Sequence, residues 1–276
     1  MFELPEYTIL ARQFNESVSA KMIRKGQLGN CPHKFVWYNR THEEFVALTA
    51  NKIIGKATVK GRWMFVALEP GYVLVLGECG GKMLYHPAGA TLPHKYHLLL
   101  SFDDGSSFTA TTQMWGAMEL YAQGEEQQRQ YIHGMRPTPA DVTFTFEYFS
   151  ALIDELVQGQ KRSVKSLLTQ DQLVPGLGNS IAQDILFKAG LHPRHALDAL
   201  SDEQRDVLYH AIVDTVALVA VQGGRYDETD LFGRAGGYVR LMDKNSTGRP
   251  CPECGTLVEK IQYLGGACYF CPHCQK

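Results

Sequence analysis

Residues 161–193 read KRSVKSLLTQDQLVPGLGNSIAQDILFKAGLHP, and this stretch decides the fold of the second half of the chain. One helix is predicted to end before Pro175, and a glycine-rich turn follows it. A new helix is predicted to begin at Asn179 and to stop at Gly190. The stretch therefore predicts two helices joined by a tight turn.

This turn is a candidate phosphate site. The backbone amides of Gly178 and Asn179 are expected to be exposed at the positive end of the second helix, where N–H groups bind anions. Three basic side chains lie nearby in the sequence and would add positive charge: Lys161, Arg162 and Lys165. Taken alone, the Gly-Leu-Gly-Asn turn fits an ordinary tight helix connection equally well.

Two Cys-x-x-Cys pairs, with sixteen residues between them, close the chain: Cys251 with Cys254, and Cys271 with Cys274. Residues 263–266 predict the turn of a β-hairpin in that interval, and four thiolates at this spacing can surround one tetrahedral zinc ion. We expect zinc rather than disulfides, because the chain shows no signal peptide and its other cysteines form no even framework. Cys268 offers a competing triplet with the last pair, but two facing pairs suit a hairpin better. A segment this short has no core of its own, so zinc is expected to hold it folded.

Length, composition and net charge limit the size of the core and the kind of partner that the chain can have. With 276 residues and 45% apolar content, the chain can bury one large core or two moderate ones. The sequence holds no run of roughly 20 apolar residues, so a soluble, cytoplasmic protein is expected. The net charge is only -2, so any surface for nucleic acid must be a local patch.

The first part of the chain, residues 1–125, predicts a helix followed by strands. Apolar residues form one stripe of a helix over 5–19, which begins at Pro5. Residues rich in valine, leucine, phenylalanine and threonine predict strands over 53–59, 63–68, 72–76 and 98–111, the last of them turned into a hairpin by Asp103-Asp104-Gly105. This pattern indicates a β-sandwich or barrel.

A polar linker over residues 126–140 is expected to lead into a helical domain, residues 141–240. Amphipathic helices are predicted over 146–158 and from Ser201, whose capping box includes Gln204, to the glycines at 223 and 224. The cysteine-rich finger then occupies 245–276. Together these parts predict an α+β protein with an N-terminal β-sandwich, a helical domain and a zinc-finger hairpin.

Taken in order, several motifs resemble the formamidopyrimidine-DNA glycosylase / endonuclease VIII family of base-excision repair enzymes. They are Glu3-Leu4-Pro5-Glu6, Pro175-Gly-Leu-Gly-Asn179, Gly190-Leu-His-Pro193 and the cysteine pairs. The resemblance implies a helix-two-turn-helix and a bilobal protein that grips damaged double-stranded DNA and flips the lesion out of the stack. It also implies attack on the sugar by the N-terminal amine, which gives a Schiff base and then β-elimination.

The resemblance assigns catalytic roles near the N-terminus. Glu3 matches the catalytic acid, and Glu6 matches the partner that orients the terminus. Both also suit the first turn of a helix because of its dipole. The family's proline nucleophile is replaced by Phe2, so the α-amine belongs to Met1, about 3.5 Å of chain farther out. Met1 or Lys60 could supply the amine instead.

Other contacts implied by the family have changed. Arg62 stands where lysine is usual, and arginine is a poor proton shuttle. Glu78 replaces an intercalating methionine, and Met114 and Trp115 stand where the family has a wedge that enters the base stack. Packing at a strand edge is an equal alternative for Met114 and Trp115. In the finger, Gly266 replaces an arginine, whereas Asn179 of the phosphate grip is retained.

Two functions follow from the sequence. The favoured one is a DNA glycosylase with abasic-site lyase activity, working through Glu3 and an amine. The alternative is a catalytically impaired protein that binds damaged or structured nucleic acid. In either case we expect a zinc-containing monomer that works on DNA in the cytoplasm, associated with the nucleoid. Residues 224–237 lie where the family places a loop over the flipped base, and they do not reveal the lesion.

Overall fold

The computed structural model describes residues 1–31 and 34–276. The chain forms two compact units, one comprising residues 1–135 with 220–238 and the other comprising 136–219 with 239–276. Within these described ranges, every helix is too short or too polar to cross a bilayer. The predicted α+β class is confirmed. The domain limits set out above remain a proposal.

The first unit contains two sheets, two helices and a short 3-10 turn at Glu125–Gln128. Its elements are α1 (Leu4–Ser17), β1 (Ile23–Leu28), β2 (Val36–Trp37), α2 (His42–Thr49), β3 (Ile53–Lys60), β4 (Trp63–Glu69), β5 (Tyr72–Gly77), β6 (Gly81–His86), β7 (Leu98–Phe102), β8 (Ser107–Thr112) and β9 (Gly116–Ala122). One sheet has the strand order β1-β7-β8-β6 and the other has β2-β9-β5-β4-β3. The predicted β-sandwich with a leading helix is therefore confirmed.

Helix α1 closes one side of the sandwich core. It begins after Glu3, which forms a capping box with Glu6, and it carries a proline in its first turn. Its buried face includes Tyr7 and Phe14, and the ring of Phe14 meets that of Phe108 edge-on at 5.1 Å. The helix spans two residues fewer at its C-terminal end than the predicted 5–19, because Val18 leaves the helical conformation.

The predicted strands are present, and the predicted hairpin turn separates β7 from β8. Sequence reasoning missed β1, β2, α2, β6 and β9. Glycine and charged residues interrupt the sequences of β6 and β9. Neither strand therefore shows the alternation of apolar and polar residues by which a strand is predicted. Helix α2 carried a usable signal, because Thr41 and Glu44 form a capping box at its start.

The second unit is mainly helical and ends in a hairpin. Its elements are α3 (Phe146–Val157), α4 (Val164–Thr169), α5 (Asn179–Lys188), a 3-10 turn (Leu197–Ala199), α6 (Asp202–Val221), β10 (Glu259–Tyr263) and β11 (Gly266–Phe270). The last two residues of α6 belong to the first unit. Leu264 and Gly265 join β10 to β11 with φ of 52° and 73°, the positive values that a tight hairpin turn requires.

Gly77 at the end of β5 provides a test of packing in the sandwich. A Cβ at this position would overlap the ring of Trp63, which is 1% exposed. Gly77→Ala is therefore expected to lower the free energy of unfolding by about 1–3 kcal/mol, the usual cost of overpacking a core. Urea unfolding measures the change. Gly159→Ala is the matched control, since its Cβ would meet only a carbonyl oxygen 3.7 Å away; an equal loss in both variants would contradict the packing argument.

Candidate active site, metal group and helix turn

The N-terminus is fixed by one ion pair and one buried side chain. The α-ammonium of Met1 donates to Oε1 of Glu228 at 2.8 Å. The next residue, Phe2, is fully buried, and its ring meets Tyr7 edge-on at 5.9 Å. Its peptide N–H donates to the carbonyl of Cys79 at 3.0 Å. Phe2 is therefore a core residue without a reactive amine, and the α-amine belongs to Met1.

Arg225 lies at the centre of the predicted catalytic carboxylates. Its side chain is 1% exposed, and its guanidinium contacts Glu6 at 2.9 Å, Glu228 at 3.6 Å and Glu3 at 3.7 Å. It also donates to the carbonyl of Met1 at 2.7 Å. Burial alone would lower the pKa of this guanidinium, but Glu6, Glu3 and Glu228 outweigh burial and raise it. Arg225 is therefore held as a cation.

Glu6 connects α1 to this cation. Its Oε2 accepts from the backbone N–H of Glu3 at 2.9 Å, and the same oxygen accepts from Arg225 at 3.0 Å. The backbone N–H of Arg225 donates to the other carboxylate oxygen at 3.1 Å. Glu3 and Glu6 are both 3% exposed. The structure thus brings Met1, Glu3 and Glu6 together around one buried charge.

Arg62 and Glu78 form a second pair beside the N-terminus. Nη2 of Arg62 lies 3.0 Å from Oε1 of Glu78, and its Nη1 donates to the sulfur of Met1 at 3.6 Å. Burial raises the pKa of the Glu78 carboxyl above its usual value, against the opposing effect of Arg62. Lys60, the last residue of β3, pairs with Trp63 across the β3–β4 turn.

Sequence reasoning missed Arg225 and Glu228. Both belong to the segment 224–237, which was interpreted only as a loop over a flipped base. Their partners near the N-terminus, Glu6 and Met1, are 219 or more residues away in sequence, so no local period marks these contacts. The one available signal was chemical. The segment holds two arginines, Arg225 and Arg234, beside acidic residues, and buried carboxylates need a cation.

In the second unit, the helix turn and the finger hairpin meet. Gly178 precedes α5 in an extended conformation, and Asn179 is the first residue of that helix. Nδ2 of Asn179 donates to the carbonyl of Ala267 at 3.2 Å, and Nε2 of Gln183 donates to the same oxygen at 3.0 Å. A Cβ on Gly266 would lie 3.4 Å from the Asn179 amide. The two predicted phosphate-gripping elements therefore form one surface.

The three basic residues predicted near the turn differ in their surroundings. Lys161 is exposed. Arg162 lies 3.5 Å from Asp171 in an ion pair. Lys165 is 1% exposed, and its ammonium donates to the carbonyl of Tyr263 at 2.6 Å. Lys165 thus stabilises the finger hairpin through a hydrogen bond to Tyr263, and Lys161 is the residue of the three that is exposed to solvent.

Met114 and Trp115 occupy the turn between β8 and β9. Met114 is 61% exposed and Trp115 is 38% exposed, so neither is core packing. The indole of Trp115 stacks on that of Trp37 with ring centroids 5.4 Å apart and planes 8° apart. This flat, half-exposed pair is available to a partner with a planar ring.

The four paired cysteines form a group that can hold one metal ion. Their sulfur atoms all lie within 4.8 Å of one another, with Cys251 to Cys274 at 3.9 Å and Cys254 to Cys271 at 3.5 Å. Hydrogen bonds from Thr256 lower the pKa of Cys254 to about 6, which favours a thiolate. The competing triplet is not formed, because Cys268 is buried in β11 outside this group.

Known proteins with similar sequences identify the family of this chain. Residues 135–229 match the family described as the formamidopyrimidine-DNA glycosylase H2TH domain. The formamidopyrimidine-DNA glycosylase of Chloroflexus aggregans is 30% identical over 284 residues, which cover 100% of this chain and 98% of the relative. This chain belongs to the formamidopyrimidine-DNA glycosylase family. The formamidopyrimidine-DNA glycosylase of Ligilactobacillus salivarius is 28% identical with similar coverage, 100% and 99%.

Solved structures share the fold of this family member. The MutM (Fpg) protein from Thermus thermophilus superposes with a TM-score of 0.81 at 25% identity, covering 99% of this chain and 98% of that one. Lactococcus lactis Fpg in complex with DNA containing an abasic site gives a TM-score of 0.84 at 22% identity, with 99% of each chain covered. The family resemblance inferred from the sequence is confirmed.

The buried cation can be tested by substitution. Arg225→Met keeps the length of the side chain but leaves Glu3, Glu6 and Glu228 without their shared partner, so we expect the free energy of unfolding to fall by roughly 3–5 kcal/mol. Urea unfolding measures the loss.

Arg234→Met is the matched control for Arg225→Met, because that guanidinium pairs with Asp230 in the same segment but is 68% exposed. It should cost about 1 kcal/mol or less. Similar losses in the two variants would show that the buried network does not depend on its central charge.

Proposed function

We propose that this chain is a DNA glycosylase of base-excision repair that acts on double-stranded DNA carrying a damaged base or an abasic site, with the α-amine of Met1 as its nucleophile. The observation that carries the proposal is the placement of the Met1 amine against Glu228, within the cluster that contains Glu3 and Glu6. The alternative, a binding protein without catalysis, is not favoured by this assembly of an amine and carboxylates.

The cluster can release the amine without changing its own charge. It contains three carboxylates and two cations, Arg225 and the Met1 ammonium. Transfer of the ammonium proton to Glu228 leaves a neutral amine and a neutral carboxyl group. The nitrogen lone pair then forms a bond to C1′ of the sugar, and the bond from C1′ to the base breaks with its electron pair leaving on the base.

Glu3 is proposed as the acid of this reaction. The neutral carboxyl group of Glu228 gives its proton to the departing base. Attack leaves the Met1 nitrogen positively charged, and the Glu3 carboxylate takes one proton from it. Glu3 then delivers this proton to the ring oxygen, which opens the ring and leaves a protonated imine between C1′ and the Met1 nitrogen. Arg225 and Glu6 act as positioning residues, since they hold Glu3 and the first turn of α1 in place. β-Elimination then transfers a proton from C2′ of the sugar to a carboxylate of the cluster, and the C3′–O bond breaks with its electron pair leaving on the 3′ phosphate.

DNA binding is assigned to the second unit and to the β8–β9 turn. The N-terminal end of α5, where Gly178 is buried against the expectation from the sequence and Asn179 is exposed, would bind backbone phosphates together with Lys161. Met114 and Trp115 would enter the stack as an apolar wedge. One copy of the chain suffices for one lesion, and action on chromosomal DNA would place the protein in the cytoplasm at the nucleoid.

Zinc is the metal proposed for the four cysteines. Tetrahedral bonds of about 2.3 Å from zinc to sulfur separate the sulfur atoms by roughly 3.8 Å. The distances of 3.5 and 3.9 Å between the facing sulfur atoms fit this geometry. Bound zinc would supply structural cross-linking of the hairpin ends, and the chain's own residues Asn179 and Gln183 would then hold the hairpin against α5.

The proposed nucleophile is tested by trapping with borohydride on a duplex that contains an abasic site. Reduction of the imine should link the sugar covalently to the α-nitrogen of Met1, and peptide mass spectrometry locates the link. Lys60→Arg is the control and should leave the yield unchanged, whereas Glu3→Gln should reduce the rate by at least about a hundredfold, the lower end of acid–base contributions. An adduct on Lys60, or tight binding without any adduct, would overturn the role of Met1.

Removal of the metal tests the finger. A chelator should release about one zinc ion per chain and weaken DNA binding, because a hairpin this small unfolds without its ion. Cys254→Ala should behave like the chelated protein. Cys268→Ala, which changes a cysteine outside the group, should keep both the zinc and the affinity. Unchanged affinity after complete loss of zinc would refute the structural role.

A further inference from the structure

Met1 is held by more of the chain than the carboxylate that its amine contacts. Its ammonium donates to Glu228 at 2.8 Å, and its carbonyl accepts from Arg225 at 2.7 Å. The rest of Met1 has neighbours that the reaction proposed above does not use, namely Arg62 at its sulfur and Gly80 at its Cα. The ends of a chain are usually poorly ordered unless contacts tie them down. Met1 is therefore fixed as a whole residue.

Gly80 packs against the backbone of Met1. A Cβ on Gly80 would lie 3.2 Å from the Cα of Met1 and 3.6 Å from its nitrogen, and the first distance is shorter than a normal contact between carbon atoms. Gly80 is itself fixed, because its N–H donates to Oγ1 of Thr112 at 3.2 Å and its carbonyl accepts from Gln113 at 2.8 Å. Its φ is not positive, so the site requires close approach of the backbone here rather than a special conformation.

The guanidinium of Arg62 reaches the sulfur of Met1, which lies 3.6 Å from Nη1. A thioether is a weak acceptor, so this contact alone would not hold an arginine in place. Glu78 does so, because its Oε1 lies 3.0 Å from Nη2 of Arg62 and its backbone N–H donates to the carbonyl of Arg62 at 3.1 Å. A guanidinium keeps its charge at neutral pH. Arg62 can therefore hold a neighbour in place but cannot exchange a proton with it.

Glu78 belongs to a segment that also holds the start of the chain. Its φ is 54°, a left-handed conformation that residues other than glycine adopt at a cost. Such strain persists only where the surrounding contacts impose it, and it is concentrated at functional sites. The carbonyl of the next residue, Cys79, accepts from the N–H of Phe2 at 3.0 Å, and Gly80 follows. Three consecutive residues thus fix the first two residues of the chain and the side chain of Arg62.

We propose that Arg62 and Gly80 are positioning residues, which orient the Cα–N bond of Met1 so that its amine can attack C1′ of the sugar. The proposal rests on the proposed function, because it concerns the same amine. The ion pair with Glu228 fixes the distance of the nitrogen from one oxygen but leaves the residue free to turn about that contact. Contacts at the Cα and at the sulfur remove this freedom.

Orientation decides how fast such an amine reacts. The attacking and the attacked atom must come within about 3–3.5 Å of each other with their orbitals aligned, and a misplacement of about 1 Å can cost roughly a hundredfold in rate. A side chain at position 80 would displace Met1 by a few tenths of an ångström. The expected cost of that displacement is about tenfold in rate.

Methyl NMR tests the hold on Met1 without any DNA. The chain has eight methionines, and labelling their methyl groups with carbon-13 gives one resonance for each. Single substitutions of the other methionines by leucine identify the resonance of Met1. In the wild-type protein this methyl group should show restricted motion and a shift away from the random-coil value, and Arg62→Gln should return both towards those of a free chain end. A mobile Met1 methyl group in the wild-type protein would overturn the proposal.

The rate of imine formation tests the consequence for the reaction. Borohydride trapping is followed in a single turnover with a saturating duplex that contains an abasic site. Gly80→Ala and Arg62→Gln should each lower this rate by about tenfold and leave the dissociation constant of the duplex unchanged. Two controls should keep the wild-type rate. The Cβ in Gly159→Ala would meet only a carbonyl oxygen 3.7 Å away. Arg129→Gln removes an arginine that lines the same cavity as Arg62 and is likewise paired with a glutamate, Glu119. Equal losses in the controls, or weaker binding at an unchanged rate, would overturn the proposal.

A double variant separates two causes of a slow reaction, because Arg62→Gln also leaves Glu78 without its cation. Arg62→Gln combined with Glu78→Gln removes both charges and keeps the net charge unchanged. This variant should remain as slow as the single one, since glutamine is too short to reach the sulfur of Met1. Recovery of the wild-type rate would show that the unpaired carboxylate caused the loss, and would overturn the role of Arg62.

Failure of this proposal can be told from failure of the proposed function. An adduct on Met1 that forms at the wild-type rate in every variant would keep the function and remove the positioning role. A wild-type protein that gives no adduct on Met1 would lose the proposed nucleophile, and the positioning role with it, whatever the NMR result.

Discussion

The burial of one guanidinium determines how the N-terminal site is built. Arg225 is 1% exposed, and a cation removed from water is tolerated only when opposite charges and hydrogen bonds replace the lost hydration. Glu3, Glu6 and Glu228 supply the charges, and the carbonyl of Met1 supplies a further acceptor. Because each partner is itself buried or nearly so, none can move away without leaving an uncompensated charge. The chain terminus, the first turn of α1 and the segment around Arg225 therefore hold one another in place.

Phe2 explains why the α-amine lies where it does. Its ring lies in the sandwich core and its backbone N–H donates to the carbonyl of Cys79, so Phe2 supplies no amine and the α-amine of Met1 lies one residue farther from the core. That extra residue changes the chemistry as well as the position. A secondary amine such as proline gives an iminium that is always charged, whereas the imine of a primary amine accepts electrons well only when protonated. In the proposed reaction, Glu228, which contacts the Met1 amine, and Glu3, which contacts Arg225, are the carboxylates that would exchange the proton this step requires.

The sequence revealed those parts of the molecule that depend on neighbours in the chain. The predicted strands β3, β4, β5, β7 and β8, the helix pair around Gly178 and the cysteine pairs each carry a short-range pattern, and all of them are present. Pairings between distant residues carry no such pattern. Lys165 was interpreted as a phosphate ligand from its position near the turn, yet it bonds to Tyr263, 98 residues away. For the same reason, Arg225 passed unnoticed although it organises the candidate site.

The second unit shows how the helix turn and the finger depend on each other. Asp184, buried on α5, accepts from the backbone N–H groups of Leu241 and Met242 and so fixes the start of the segment that leads to the cysteines. At the N-terminal end of the same helix, Asn179 and Gln183 hold the finger through Ala267. Helix α5 is thus tied to the finger through Ala267 and to the segment that precedes the finger through Leu241 and Met242. Loss of the hairpin would remove the partner of Asn179 and of the buried Gln183, so the order of the first turn of α5 depends on the same cysteines that hold the hairpin ends together.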